Sequence, residues 1–324
     1  MPEILQMRGG LAGADDLDTC VETRHPWSAV AVRAGSVVWQ AGDDLWTTWR
    51  SAAKPFQLAC SLELLSYPKV RPEELAIGAA SHSGEPEHVH WVREVLARFD
   101  VAEHGLLCGT HPPVHAASAE KILRQNKEFS AIHNNCSGKH AFMLAAAARQ
   151  GWASDYRPPE HPLQRFVAER VAEWTTASPK LALDGCGVPT FCLPLSAIAH
   201  GWWRVAQAMG AADDPTRLGA IGRAMAEHPQ LTSGTDRFDA SVVRHAREPM
   251  AAKIGAQGVF CIALPARDLG LAVKVHSGDS DALPAAVAEA LRMAAPQAWE
   301  LPSNWRFLDV RNVVGRLAGR YVVG

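Results

Sequence analysis

Gly258-Val-Phe-Cys-Ile-Ala-Leu264 and Leu269-Gly-Leu-Ala-Val-Lys-Val-His276 are two short apolar runs, separated by the turn Pro265-Ala-Arg-Asp268. Runs of this length, bounded by turn residues, read as buried strands of a hairpin. A second hairpin is written near the other end of the chain. Ser28-Ala-Val-Ala-Val-Arg33 and Ser36-Val-Val-Trp-Gln40 flank the turn Ala34-Gly35. Between the two hairpins, helical periodicity dominates from about 86 to 250, with the longer apolar faces at 87–99, 118–127, 140–150, 162–175 and 215–227. A helix is expected from Ser51 to Leu65, another from Ala282 to Ala294 capped by Ser280 or Asp281, and a last strand near Tyr321. The order predicts an α+β fold: one antiparallel sheet built from both chain ends, with a helical insertion. The 324 residues are expected to form a single domain, with a sheet subdomain at about 1–80 and 251–324 and a mostly helical one at about 81–250.

Composition narrows the function classes. Apolar residues make up 48% and charged residues 20%, with 32 basic and 34 acidic side chains, so no basic stripe for nucleic acid is present. The apolar runs are too short to cross a bilayer, and the N-terminal segment lacks the pattern of a signal peptide, which predicts a cytoplasmic protein. Seven cysteines spread over the chain argue against a disulfide scaffold and leave room for a metal or a reactive thiol. Only eight of the 32 basic residues are lysines. Lysine can be made a neutral base by burial and arginine cannot, so each lysine within a motif is a candidate for chemistry.

Arg50-Ser51-Ala-Ala-Lys54-Pro55 is the first such motif. Residues three apart share a helix face, and a helix N-terminus favours an alkoxide over an ammonium, which suits a Ser51–Lys54 nucleophile and base. Ser-x-x-Lys is also a common tetrapeptide, repeated here at Ser118–Lys121 on what reads as an exposed helix. Two further segments add weight: Ser81-His82-Ser83, and Lys253-Ile254-Gly255 just before the Gly258–Leu264 strand. Serine β-lactamases and penicillin-binding transpeptidases carry Ser-x-x-Lys, Ser-x-Asn and Lys-Thr-Gly in that order. The present chain is similar in order, with Ser83 and Ile254 as substitutions.

Asn134-Asn135-Cys136-Ser137-Gly138-Lys139-His140 and Asp184-Gly185-Cys186-Gly187-Val188-Pro189 each place a cysteine in a turn of small residues. Isolated cysteines in turns are usually inert, buried thiols. Cys136 and Lys139 are three apart at a helix start, so both can point at one centre. His111-Pro-Pro-Val-His115 lacks the glutamate of a zincin, and His82, Glu85, His88 and His90 read as solvated residues at a helix start. Trp202 and Trp203 read as core or interface residues.

Taken in order, these segments, together with Cys108-Gly-Thr-His111, His228-Pro229, Gly234-Thr-Asp-Arg237 and Lys253-Ile-Gly-Ala256, resemble the rhizobial-type, class 3 L-asparaginases. The resemblance implies a β-lactamase/transpeptidase-like fold, a homodimer and hydrolysis of L-asparagine to L-aspartate and ammonia. It implies two Ser–Lys tandems, Ser51–Lys54 and Ser81–Lys253, with Ser51 as the attacking serine. It implies substrate contacts from Arg50, Asp184, Asn135 and His140. It also implies a zinc ion held by Cys136, Lys139 and Cys186; because a Ser–Lys pair already supplies nucleophile and base, the ion is not expected to be needed for bond cleavage. Where the family carries a cysteine two residues after the arginine of Gly-x-x-Arg, this chain has Asp239. The alternatives are a β-lactamase or peptidoglycan amidase-like hydrolase, and a non-catalytic amino-acid or zinc-binding protein on the same fold.

Overall fold

A computed structural model describes residues 1–324 apart from 12–15, 67–68 and 304. The strands are β1 (Glu3–Arg8), β2 (Cys20–Arg33), β3 (Ser36–Ala41), β4 (Trp46–Thr48), β5 (Lys180–Leu183), β6 (Pro189–Pro194), β7 (Ala251–Gly255), β8 (Val259–Leu264), β9 (Leu269–Val275), β10 (Asp309–Arg311) and β11 (Leu317–Val323). The helices are α1 (Lys54–Leu65), α2 (Pro72–Gly78), α3 (Pro86–Arg98), α4 (Ala116–Arg124), α5 (Ser137–Arg149), α6 (Pro162–Thr175), α7 (Leu195–Gly210), α8 (Leu218–Glu227), α9 (Pro229–Thr232), α10 (Phe238–Arg244) and α11 (Leu283–Ala294).

The main sheet runs β10-β11-β1-β2-β9-β8-β7, with β3 on the second half of β2, and its ladders are antiparallel. Strands from both ends therefore lie side by side: Trp27 of β2 opposes Val275 of β9, and Arg33 opposes Leu269. Both faces of this centre are covered. Val30, Val32, Cys261, Ala263 and Ala272 point into the helical layer, while Ala29, Ala31, Phe260, Ile262, Leu271 and Val273 join a second core that includes α11. The strict alternation follows from the two-residue period of a strand. Helix α7 lies so close to β9 that a Cβ on Gly270 would sit 2.0 Å from the Trp203 amide nitrogen. Only a glycine allows that approach.

Three sequence expectations change. The stretch read as mostly helical also contains β5 and β6, which join β4 in a three-stranded sheet, β4-β6-β5; its strands are only three to six residues long, and β6 begins and ends on proline. Helix α7 lacked an assignment, and its Trp202 is wholly buried. Helix α11 starts at Leu283 with Ala282 as its N-cap and no side-chain cap, so neither Ser280 nor Asp281 performs that role. Instead the Asp279 carboxylate accepts from the Asp281 and Ala282 amides. No helix among the described residues is long and apolar enough to cross a membrane.

Candidate active site

The chain enters the site through a corner at Trp49 and Arg50. The Trp49 amide donates to Phe191 O at 2.8 Å and the Arg50 amide to Thr190 Oγ1 at 3.1 Å, so β6 fixes the corner from one side. On the other side β7 packs closely, since a Cβ on Gly255 would lie 2.9 Å from Trp49 O. Arg50 adopts a left-handed backbone, φ 51°, a conformation disfavoured for a residue with a Cβ and typical of functional turns. Arg50–Ala53 form a single 3₁₀ turn, and the α-helix begins at Lys54 with Pro55 in its first turn. Ser51 thus sits at the entrance of a helix and lines a cleft of about 770 Å³, together with Ser81 and Asn135.

Lys54 is fully buried and its amine is anchored on three sides: Ala80 O at 2.6 Å, Ser81 Oγ at 2.8 Å and Asn135 O at 3.1 Å. The Lys54 amine donates to all three acceptors, and it can serve as a base for the Ser81 hydroxyl only after giving up a proton. The close Ser–Lys contact is therefore Ser81–Lys54, across 27 positions of sequence. Ser81 itself is held by its amide, which donates to Thr232 O at 3.0 Å.

Lys253, on β7, is also fully buried. Its amine donates to Ile254 O at 2.9 Å and lies 3.7 Å from Asp239 Oδ2. Burial pushes its pKa down to about 7, with the positive charges of Lys54 and Arg237 acting in the same sense and Asp239 opposing them. Asp239 is held in place by the Ser233 hydroxyl and by the Ile254 amide at 3.4 Å. This carboxylate is the partner of Lys253 that sequence reading did not supply. Its signal was present, as the one acidic residue where the resembled family carries a thiol.

His82 and His88 are buried and stacked at 5.1 Å, contrary to the expectation of solvated residues. His82 Nδ1 accepts from the Gly84 amide, so Nε2 carries the proton and donates to Ser137 Oγ at 2.9 Å. Burial lowers both imidazoles' pKa values. Glu85 binds Ser83 Oγ at 2.6 Å and both the amide and hydroxyl of Thr235 at 2.7 Å, which ties the 81–85 loop to the 232–235 segment. A Cβ on Gly234 would lie 1.9 Å from Ser83 Oγ, and its φ of +140° is one that side chains avoid. Gly234→Ala is expected to destabilise the protein by about 1–3 kcal/mol and lower its Tm, from clash and backbone strain together.

The two cysteine turns meet. Asn134 clamps the first turn, donating to Cys108 O and Gly109 O and accepting from the Cys136 amide. The second is the tight β5–β6 connection, closed by Gly187 N to Asp184 O at 3.0 Å. Lys139 Nζ reaches Cys186 Sγ at 3.2 Å. The Cys186 thiol hydrogen-bonded to Cys136 holds the Cys136 pKa well down, helped by Lys54 and Lys139, while the Cys186 pKa is raised by the same pairing. Burial opposes the charge on Lys139, but the sulfurs and Asp184 outweigh it and raise its pKa. His140 receives the Tyr156 hydroxyl at Nδ1, 2.9 Å, because that hydroxyl oxygen already accepts from the Leu107 amide. Burial lowers the His140 pKa to about 4, with the Cys186 side chain beside it acting in the opposite sense.

The structure thus gathers Ser51, Ser81 and Asn135 in one cleft, with Lys54 and Lys253 beneath it, and Cys136, Lys139, Cys186 and His140 adjoining through the Asn135–Cys136 turn. Arg50 and Asp184 form an ion pair at 2.8 Å. Burial pushes the Asp184 carboxyl up, but Lys139 and Arg50 draw it below its ordinary range. Among the described residues, no group of three His, Cys, Asp or Glu side chains is placed to hold a metal. Any site at the cysteine turns would depend on the lysine.

No curated protein matches the chain. Among solved structures, two align with most of the chain. One is a putative beta-lactamase from Bacteroides dorei DSM 17855, 10% identical, covering 83% of this chain and 94% of that chain with a TM-score of 0.45. The other is a beta-lactamase from Mycobacterium bovis, 13% identical, covering 82% of this chain and 93% of that chain with a TM-score of 0.38. The model of the L-asparaginase II family matches residues 18–322, and the chain therefore belongs to that family of asparaginase-type amidohydrolases.

Proposed function

We propose that the protein hydrolyses the side-chain amide of L-asparagine to L-aspartate and ammonia through a serine nucleophile and an acyl-enzyme. The observation that carries this reading is the buried Lys54 amine, hydrogen-bonded to Ser81 at the floor of a cleft that Ser51 also lines. Ser51 attacks the amide carbon, and the Ser81–Lys54 pair takes its proton and delivers it to the leaving ammonia. Water then attacks the ester, with Lys253 in its neutral form as the second base. A second reading makes Ser81 the nucleophile, and the 2.8 Å Ser81–Lys54 contact favours it. Asparagine offered to the purified protein should release stoichiometric ammonia and aspartate. Absence of ammonia would overturn the reading, and nitrocefin turnover in its place would assign the site to β-lactam hydrolysis.

The pH profile tests Lys253. A base with a pKa near 7 is protonated and inactive below that value, so kcat/KM should rise about tenfold per pH unit up to about 7 and then level. Asp239→Asn removes the negative charge that retains the proton, so the break should move to lower pH. A break that stays in place would show that another group titrates.

Zinc at the cysteine turns belongs to the same reading. The donor set fits: the Cys136 and Cys186 thiols are hydrogen-bonded to each other, and Lys139 donates to Cys186 Sγ at 3.2 Å. Cys136, Lys139 and Cys186 would hold the ion, which when bound supplies a Lewis acid and a rigid tie between the two turns. Lys139 must lose its proton to bind, so affinity should increase with pH. Calorimetry at pH 8 should find one equivalent of zinc in the wild type and at least about 10-fold weaker binding in Cys136→Ser. A homodimer is proposed with it, to be checked by sedimentation.

A further inference from the structure

Six charged residues line the mouth of the cleft: Asp236, Arg237, Asp281, Arg306, Asp309 and Arg311. Arg306 pairs with Asp236 at 3.0 Å, and Arg311 with Asp309 at 2.6 Å. Arg50, deeper in the site, is held by Asp184. Arg237 differs. Among the described residues its guanidinium has no ion pair, and its Nε is buried without a hydrogen-bond partner. Its backbone is fixed, because its amide donates to Gly234 O at 3.4 Å and the next residue, Phe238, is packed against Phe260 and Trp305.

The charge around it is unbalanced. Lys54, Lys253 and Arg237 act on one another as cations, and Asp239, already bonded to Ser233 and Ile254, is the carboxylate set against them. A half-desolvated guanidinium with an unused donor matches the fork of a carboxylate. We propose that Arg237 is the subsite for the α-carboxylate of the substrate, and that it makes the enzyme require a free amino acid rather than an asparagine within a peptide. This inference rests on the amidohydrolase reading above and assigns a substrate contact within the same site. Arg50, neutralised by Asp184, then serves the rest of the pocket rather than the carboxylate.

The test compares L-asparagine with its α-N-methylamide, in which the carboxylate is neutral and ammonia comes only from the side chain. Wild-type enzyme is expected to prefer asparagine by about 10²-fold in kcat/KM, a site built around a polar group rejecting the analogue that lacks it. At about pH 9, where Lys253 is deprotonated with or without the Arg237 charge, Arg237→Gln should lower kcat/KM for asparagine about 10²-fold, mostly through KM, and leave the methylamide within about twofold, so that the preference disappears. Arg237→Lys should recover part of it. Calorimetric titration with L-aspartate gives a readout independent of turnover, and Arg237→Gln should bind at least about 10-fold more weakly. A preference that survives in Arg237→Gln, a parallel fall for both substrates, or unchanged aspartate affinity would each overturn the assignment. Failure of the wild type to release ammonia would overturn the asparaginase reading alone, with aspartate binding still deciding the role of Arg237.

Discussion

Ser51→Ala is expected to reduce ammonia release from asparagine by on the order of 10⁴-fold or more, because the reaction loses the atom that carries the acyl group. The fold should tolerate the change. Ser51 makes no side-chain hydrogen bond among the described residues, its turn is held by the Arg50 amide on Thr190 Oγ1 and the Trp49 amide on Phe191 O, and the new methyl is no larger than the lost CH₂OH. Melting temperature should move by no more than about 2 °C. Ser81→Ala distinguishes the two serines. With Ser51 as nucleophile, it removes a proton relay and costs about 10²–10³-fold. Near-normal turnover in Ser51→Ala with a dead Ser81→Ala would reverse the assignment. Trapping the acyl-enzyme with a slow amide and locating the modified peptide gives the same answer directly.

Lys54→Met and Lys54→Arg should both lose at least about 10³-fold in kcat, which separates a base from a mere positive charge. Arginine retains the charge and cannot release a proton. The two variants should differ in stability. Methionine leaves Ala80 O and Asn135 O without their buried donor, at about 1–3 kcal/mol for each. Arginine keeps donors but must fit a larger head into a fully buried place. Substantial turnover in Lys54→Arg, measured at a pH where the wild type is fully active, would remove Lys54 as the base.

Much of the sheet was legible because its central strands are mostly apolar runs ended by turn residues, as at Val259–Leu264 and Leu269–Val275. The β4-β6-β5 sheet was not, since its strands are short and prolines bound the longest of them. Helix α7 was obscured by Gly201, which reads as a breaker. In the structure that glycine is a packing device, because a Cβ there would meet the Trp49 ring at 2.9 Å. The residue types of the site were legible from local spacing, whereas their pairing was not. Ser-x-x-Lys predicts a contact within one turn, yet the Lys54 amine reaches a serine 27 positions away, and Lys253 on β7 rests beside an aspartate from helix α10. Local pattern identifies which side chains are unusual, and only the closed chain decides which of them meet.

The pairing of β2 with β9 also imposes an order on synthesis. Trp27–Arg33 leaves the ribosome some 240 residues before its partner Leu269–Val275, a delay of about 10–50 s at ordinary elongation rates. During that interval β3 can cover one edge of β2, and the other edge stays unpaired, with Ala29-Val30-Ala31-Val32 exposed to any neighbouring nascent chain. Lys253 is absent for most of the same interval, so the emerging polypeptide cannot hold a finished active site. Expression yield should therefore respond to elongation speed and chaperone supply far more than the folded protein's own stability would suggest, and slower codons after β3 should lower it.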